Sequence, residues 1–498
     1  MLSVILAGLA GSVAAIPALA PRQSSSQAYA SNNGLSLALS SIQGPVLGGG
    51  GANGESTWSL SIDDTSSGYK QTITGFGGAV TDSTVTTFNM LDSDTLSQLL
   101  NDLMTSQGAS FSLLRHTIGA SDLSGDPAYT YDDSGSASNP NLNGFNLGGR
   151  GNAMANMLAS MKNLNGNTKI LGSPWSPPGW MKLNGDIDGN TTCNNLNDGY
   201  LTSCPATGPD VASYFAQYFV DYINAYNNIG ATIDAITIQN EPLNSQAGYP
   251  TMYVYADESA DLIQNYVGPA LSNAGLGSVQ IWALDHNTQY ESYAQTVLDN
   301  AGQYVNTVAW HCYDGPDWSV LTDIKNQYGN VEQYMTECYT PPASAGADGA
   351  WNAPANFVIG PLQNWASGAM SWNIGAQEES DGTFGPHLDG GCTDCQGLVT
   401  INSASSYTLN NAYYQIAQFS KFMPTGATVL NGTGSYTYSD GTGVQSVATL
   451  NPDGTRSVAI VNNFSNAIYV TLDTASGETW GGNVPEQSTT TWILPASN

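Results

Sequence analysis

Eight short apolar runs, each separated from the next by a longer stretch with helical periodicity, constrain this chain more than any other feature. The runs are TITGFGGAV, FSLLRHTI, TKILGSPW, TIDAITIQN, SVQIWALD, VNTVAWHCY, VEQYMTE and GAMSWNIG. Helical patterns lie between them, among them LDSDTLSQLLNDLM, NAMANMLASMKNL and DESADLIQNYVGPAL. The clearest starts at Asp210, an N-cap residue type. After it Val211, Tyr214, Phe215, Tyr218, Phe219, Tyr222 and Ile223 recur at three- and four-residue steps and line one face. Short, largely apolar runs of this kind suit the buried strands of a parallel sheet, and eight of them alternating with helices predict a closed parallel (β/α)8 barrel. The expected fold class is therefore α/β, with a TIM barrel over residues 71–423.

The flanks read differently. Residues 24–70 are rich in Ser and Gly and contain alternating segments such as STWSLSID. After NAYYQIAQFSKFM the helices stop, and residues 424–498 return to alternating runs (GVQSVATLN, SVAIVNNF, AIYVTLD) divided by Gly, Asn and Asp turns. This predicts an antiparallel β-sandwich side domain. The N-terminal strands have no partners of their own, so they are expected to complete it.

Residues 1–20 form a short apolar run ending in small residues, as a secretory signal peptide does, although no basic residues precede it. No later segment reaches the ~20 apolar residues that span a bilayer. The expected location is secreted and extracellular, and the sequons at Asn190, Asn431 and Asn463 agree with export and glycosylation. In an exported chain six cysteines point to disulfides. Of the fifteen full pairings, loop closure favours Cys193–Cys204 and Cys392–Cys395, which leaves Cys312–Cys338.

Charge narrows the partners. Ten Lys and Arg stand against 40 Asp and Glu, for a formal charge of −30. Such a surface repels nucleic acid and anionic lipid, and a neutral substrate is compatible with it. No amphipathic basic segment is present to dock the chain on a membrane.

In a (β/α)8 barrel the chemistry sits where the strands end. The second run ends with Arg115 and His116, with Asp122 just beyond, and the third with Trp175 and then Trp180. The fourth ends with Asn240 and Glu241, the sixth with Trp310, His311 and Tyr313, the seventh with Glu337, and the eighth with Trp372 and Asn373. Two carboxylates among aromatics and hydrogen-bonding groups suit glycosidic bond cleavage. One donates a proton to the departing oxygen while the other stays ionised; aromatic faces take the apolar faces of a sugar. Each residue also has a plain structural reading: a rim carboxylate in an ion pair, a core tryptophan, an arginine that neutralises a neighbour. Their convergence on one rim is what favours chemistry.

Other chemistries lack their signatures. No G-x-S-x-G elbow, H-E-x-x-H helix or P-loop occurs, and the four histidines form no zinc pattern, so no metal is assigned. Gly49 to Gly54 matches G-x-G-x-x-G, but a β-like segment follows where a nucleotide site needs a helix.

Seven motifs, TGFGGAVTDS, LLRHTIGASDLS, SPWSPPGWMKLNG, TIQNEP, AWHCYDG, YMTECY and SWNIG, resemble in the same order those of glycoside hydrolase family 30. The resemblance runs from about Thr74 to Gly375. It implies a retaining double displacement with Glu241 as acid/base and Glu337 as nucleophile. It also places Arg115, Asp122, Trp180, Asn240, His311, Tyr313 and Trp372 around the sugar, with no cofactor required. Arg115 and polar donors are expected to keep Glu337 ionised while a drier setting raises the pKa of Glu241. A retaining pair is expected to lie about 5 to 5.5 Å apart. QNEPLNSQAGYPTMY and HCYDG look most like the family's endo-β-1,6-glucanase group, which implies a neutral β-glucan substrate. The alternatives are a glucosylceramidase or β-xylanase specificity, or a non-catalytic carbohydrate-binding homologue.

Overall fold

The computed structural model describes residues 25–49, 54–189, 192–340 and 352–497. The proposed signal peptide, Asn190 and most of the Gly49–Gly54 stretch lie outside them. All eight apolar runs contain a strand, and together they close a parallel barrel. In chain order these are β1 (Gly75–Val80), β2 (Leu113–Ile118), β3 (Lys169–Pro174), β4 (Ala235–Thr237), β5 (Gln280–Asn287), β6 (Val305–His311), β7 (Glu332–Glu337) and β8 (Gly368–Ser371). The barrel closes through β8 against β1, with Gly368 opposite Gly75 and Ser371 opposite Gly78.

The helices pack outside the barrel by their apolar stripes. The helix Ala212–Ile229 buries Phe215, Tyr218, Phe219, Tyr222, Ile223 and Tyr226. It starts two residues after Asp210, whose Oδ1 accepts the Ala212 N–H at 2.8 Å, so the capping interaction is made from just outside the first turn. The stretch expected as one helix over 257–271 is interrupted by a π-helical segment, Leu262–Val267, between Ala256–Asp261 and Gly268–Asn273.

The second core belongs to the β side domain. Its strands Arg456–Asn462 and Ser488–Leu494 pair antiparallel, and Gln27–Asn32 adds to the outer edge of the latter. Ser56–Asp63 runs parallel to Ile468–Thr474 and pairs antiparallel with Thr428–Thr433. The N-terminal strands thus lie within the same sheets as the C-terminal ones. Leu60, Ile62, Val458, Val470 and Trp492 are among the residues that fill the space between.

Cysteines pair as Cys193–Cys204, Cys312–Cys338 and Cys392–Cys395. Asn431 is exposed and Asn463 partly so, its side-chain carbonyl accepting from Asn352. Among the described residues no helix is long and apolar enough to cross a membrane.

Candidate active site

A layer of Leu113, Leu171, Ala235, Trp282, Ala309, Tyr334 and Met370 plugs the barrel interior. Two residues further along a strand the side chain returns to the same side. At that level the interior turns polar, with Arg115, Ser173, Thr237, His311 and Thr336. The intervening residues point outward: His116 bonds the Tyr222 hydroxyl and stacks on Tyr226, and Trp310 donates to Gln333. These two strand-end residues serve packing.

β5 breaks the alternation. Leu284 and Asp285 have φ of 73° and 61°, and the register against β6 shifts between Leu284 and His286. Such a bulge re-aims side chains. Leu284 joins the outer core, while Asp285 enters the polar layer. There its Oδ2 accepts from Arg115 Nη2 (2.8 Å), Ser173 Oγ (2.8 Å) and Thr237 Oγ1 (2.9 Å). Its Oδ1 accepts from Thr336 Oγ1 (2.8 Å) and lies 3.0 Å from His311 Nε2. Burial pushes this carboxyl up, but Arg115 and His311 outweigh it and hold Asp285 far below the usual carboxylate range. Asp285 was not among the expected site residues.

Above this layer stand the two glutamates. Glu337 ends β7; its Oε2 accepts from Arg115 Nη1 at 2.6 Å and its Oε1 from the Tyr313 hydroxyl at 2.9 Å. Glu241 follows β4 with φ of 44°, its amide donating to the Asp285 carbonyl. Its Oε2 accepts from Asn244 Nδ2 at 2.8 Å, and its Oε1 lies 3.1 Å from His311 Nδ1. The same Nδ1 is 4.0 Å from Glu337 Oε1. The two Oε1 atoms are therefore at most about 7 Å apart, a bound that admits the ~5–5.5 Å of a retaining pair and also the near end of the ~6.5–9.5 Å inverting range.

The charge state differs from expectation. Burial alone pushes Glu241 up, but the His311 hydrogen bond, the His311 and His286 charges and the Asn244 amide carry it down to about 2. Glu337 moves up: burial, with the Glu241 and Asp285 charges, prevails over His311 and Arg115. The expected division, with Glu241 raised and Glu337 held low, is thus reversed. The cause is His311, which burial lowers but which carboxylates on both ring nitrogens, with Glu337 beside them, raise to about 9. These shifts favour an ionised Glu241 beside a protonated His311.

The glutamates open on a cavity of about 350 Å³, also lined by Asp122, Trp175, Asn240, Tyr249, Tyr313 and Trp372. Trp175 and Trp372 stack at 5.1 Å, and the Arg115 guanidinium lies 4.9 Å from the Trp175 ring centre. Asn240 spends Oδ1 on Arg115 at 2.6 Å, which turns its amide nitrogen away from the guanidinium. Burial and the Glu337 charge push Asp122 up to about 7. Arg115 and His311 stand behind this lining. Trp180 departs from expectation: its Nε1 donates to the Asp132 carbonyl, its ring meets Tyr214 edge-on within the barrel's outer core, and it does not line the cavity. Trp175, nearer the end of β3, takes the wall position. Tyr249, Tyr339 and Asp394 reach the cavity from loops, where no periodicity announces them.

A (β/α)8 barrel with two facing glutamates in an aromatic cavity at its strand ends defines a glycoside hydrolase. The comparisons agree. Residues 73–423 match the glycosyl hydrolase family 30 TIM-barrel domain, and residues 426–492 match that family's β-sandwich domain. The chain belongs to glycosyl hydrolase family 30. It is 63% identical over 96% of both chains to an endo-1,6-β-D-glucanase of Aspergillus fumigatus. It is 62% identical to one of Trichoderma harzianum, over 96% of this chain and 95% of the other. A solved endo-β-1,6-glucanase structure superposes with a TM-score of 0.78 at 26% identity, covering 95% of this chain and 99% of that one.

Proposed function

We propose that this protein is a secreted endo-β-1,6-glucanase that cleaves neutral β-1,6-linked glucan with retention of configuration. The reading is carried by one observation: Glu241 and Glu337 face a single nitrogen of His311 at the edge of an aromatic-walled cavity. The relatives named endo-1,6-β-D-glucanase support the choice of linkage.

Glu337 attacks the anomeric carbon, held in place by Arg115 and Tyr313. The Glu241–His311 pair supplies the proton. An imidazolium beside a carboxylate and an imidazole beside a carboxylic acid contain the same protons, so a shift from Nδ1 to Oε1 arms Glu241 without changing the charge of the site. Glu241 then protonates the departing oxygen and the glycosidic bond breaks. As a carboxylate it next takes a proton from water, whose oxygen displaces Glu337 from the sugar. Asn240 serves the 2-hydroxyl, Trp175 and Trp372 serve the ring faces, and Asp122 takes another hydroxyl of the bound glucose.

The test is release of reducing ends from β-1,6-glucan, β-1,3-glucan, xylan and glucosylceramide by wild type and Glu337→Ala. Release from β-1,6-glucan alone, lost in the variant, is expected. Wild-type inactivity on that polymer, with cleavage of another, overturns the proposed substrate.

A further inference from the structure

The side domain carries an aromatic cluster that its own core does not account for. Trp58 and Phe464, with ring centres 5.8 Å apart, cap one part of the sandwich core. Tyr438 lies 6.3 Å from Trp58 and 6.5 Å from Phe464, and Tyr436 meets Tyr438 edge-on at 4.9 Å. These two tyrosines remain 47% and 57% exposed, far more than a residue recruited to seal a core.

The segment that presents them is fixed. Trp58 Nε1 donates to the Gly434 carbonyl at 2.8 Å. Gly434 has φ of 99°, and a Cβ there would come within 2.4 Å of the Ser59 carbonyl oxygen, so the chain turns over Ser56–Asp63 only with glycine. Tyr438 is anchored by its amide on the Thr442 carbonyl. The cluster also flanks the barrel helix Ala353–Gln363. Asn352 at the head of that helix bonds Asn463 beside Phe464, and Gln363 at its tail bonds Ser435 beside Tyr436.

Charge selects the occupant. The segments 56–63, 434–442 and 462–466 contain no Lys or Arg, so an anionic polymer finds no counter-charge there. A second copy of a chain with net charge −30 is repelled. A neutral polyhydroxylated chain is the remaining match, because its C–H faces stack on aromatic rings without needing charge. Among the described residues Tyr436 makes one ring contact, edge-on to Tyr438, which leaves its ring faces uncovered by that contact.

We propose that the Trp58–Tyr436–Tyr438–Phe464 cluster is a second, non-catalytic sugar-binding site that holds a segment of neutral β-glucan chain and keeps the enzyme on the polymer. The choice of glucan rests on the proposed function above. Wild type, the double variant Tyr436→Ala/Tyr438→Ala and Tyr438→Phe are compared in co-sedimentation with insoluble β-1,6-glucan. Each is also assayed on a short soluble β-1,6-gluco-oligosaccharide. The double variant is expected to bind the polymer about tenfold more weakly while cleaving the short substrate at the wild-type rate, and Tyr438→Phe to bind as wild type. Equal retention of wild type and double variant, with N-glycans present and after their removal, overturns the inference and leaves the tyrosines as a cover for the sandwich or a seat for its glycans. Failure of wild type to cleave the short substrate is a separate result and counts against the proposed function.

Discussion

His311 bridges Glu241 and Asp285, with Nδ1 3.1 Å from Glu241 and Nε2 3.0 Å from Asp285. With Asp285 held ionised by Arg115, Nε2 must donate, and the remaining proton lies between Nδ1 and Glu241. The pair should release it only near pH 9, the value to which the surrounding carboxylates raise His311. The alkaline limb of kcat/KM is therefore expected to report this pair. In His311→Asn the acid proton falls to Glu241 alone, which burial raises but which no longer shares it with imidazole. The alkaline limb is expected to move more than one pH unit toward acid, with kcat at least tenfold lower. A pH–rate profile checks it; an unmoved alkaline limb means that the proton is held elsewhere.

The two glutamates are expected to fail differently when removed. Glu241→Ala loses the proton donor, which matters most for a poor leaving group, so activity on glucan drops by about 10²–10⁴. A substrate with an acidic aryl leaving group needs no protonation, and its glycosylation step is largely spared. Azide, which needs no general base, is expected to restore turnover of that substrate in Glu241→Ala and to yield a β-glucosyl azide. Glu337→Ala is expected to be inactive on both substrates without azide. Product analysis by NMR decides: an α-azide from Glu241→Ala contradicts a retaining reaction.

Much of this site was readable from spacing alone, and the exceptions have physical causes. Arg115, His311 and Glu337 occur at the ends of short runs that alternate with helical stretches, so counting along each run leads to the rim. Asp285 also ends such a run, but alternation from the inward Trp282 predicts Leu284 inside and Asp285 outside. Two consecutive positive φ angles invert that order. Proline and glycine give no warning at this bulge, which is built from Leu and Asp. The reversal at Glu241 was hidden for a related reason: the burial of a carboxylate can be guessed from a strand, whereas the orientation of a histidine 70 residues away cannot. The fold was more legible because each strand and helix announces itself by local periodicity, and closure follows from their number.

The two tryptophans after β3 separate a cavity wall from a core. Trp175 faces the cavity and stacks on Trp372, whereas Trp180 is held by Asp132 and Tyr214 away from it. Trp175→Ala is expected to raise KM for gluco-oligosaccharide about tenfold through lost ring stacking. Trp180→Ala is expected to lower Tm, since large-to-small core changes cost about 3–5 kcal/mol, with a smaller effect on KM. Steady-state kinetics beside thermal melts distinguish them. A KM effect confined to Trp180→Ala would return that residue to the sugar site.

Glu258 offers a stability test independent of catalysis. It is fully buried at the start of the helix Ala256–Asp261, with Oε2 accepting the Tyr255 N–H and Oε1 without a partner among the described residues. Burial, and then the Asp198 charge, push its carboxyl up to about 8 against the lowering effect of that N–H. The folded chain therefore keeps a proton that the unfolded chain releases near the ordinary Glu value of about 4.3. Between those values the folded state binds more protons, so the contribution of this group to stability falls as pH rises from about 4 to about 8 and is flat outside that window. Glutamine keeps the acceptor for Tyr255 and has no proton to lose. Glu258→Gln is expected to match wild type in Tm near pH 4 and to exceed it by several degrees at pH 8. A Tm difference that stays constant across the range would show that Glu258 is not held protonated in the folded protein.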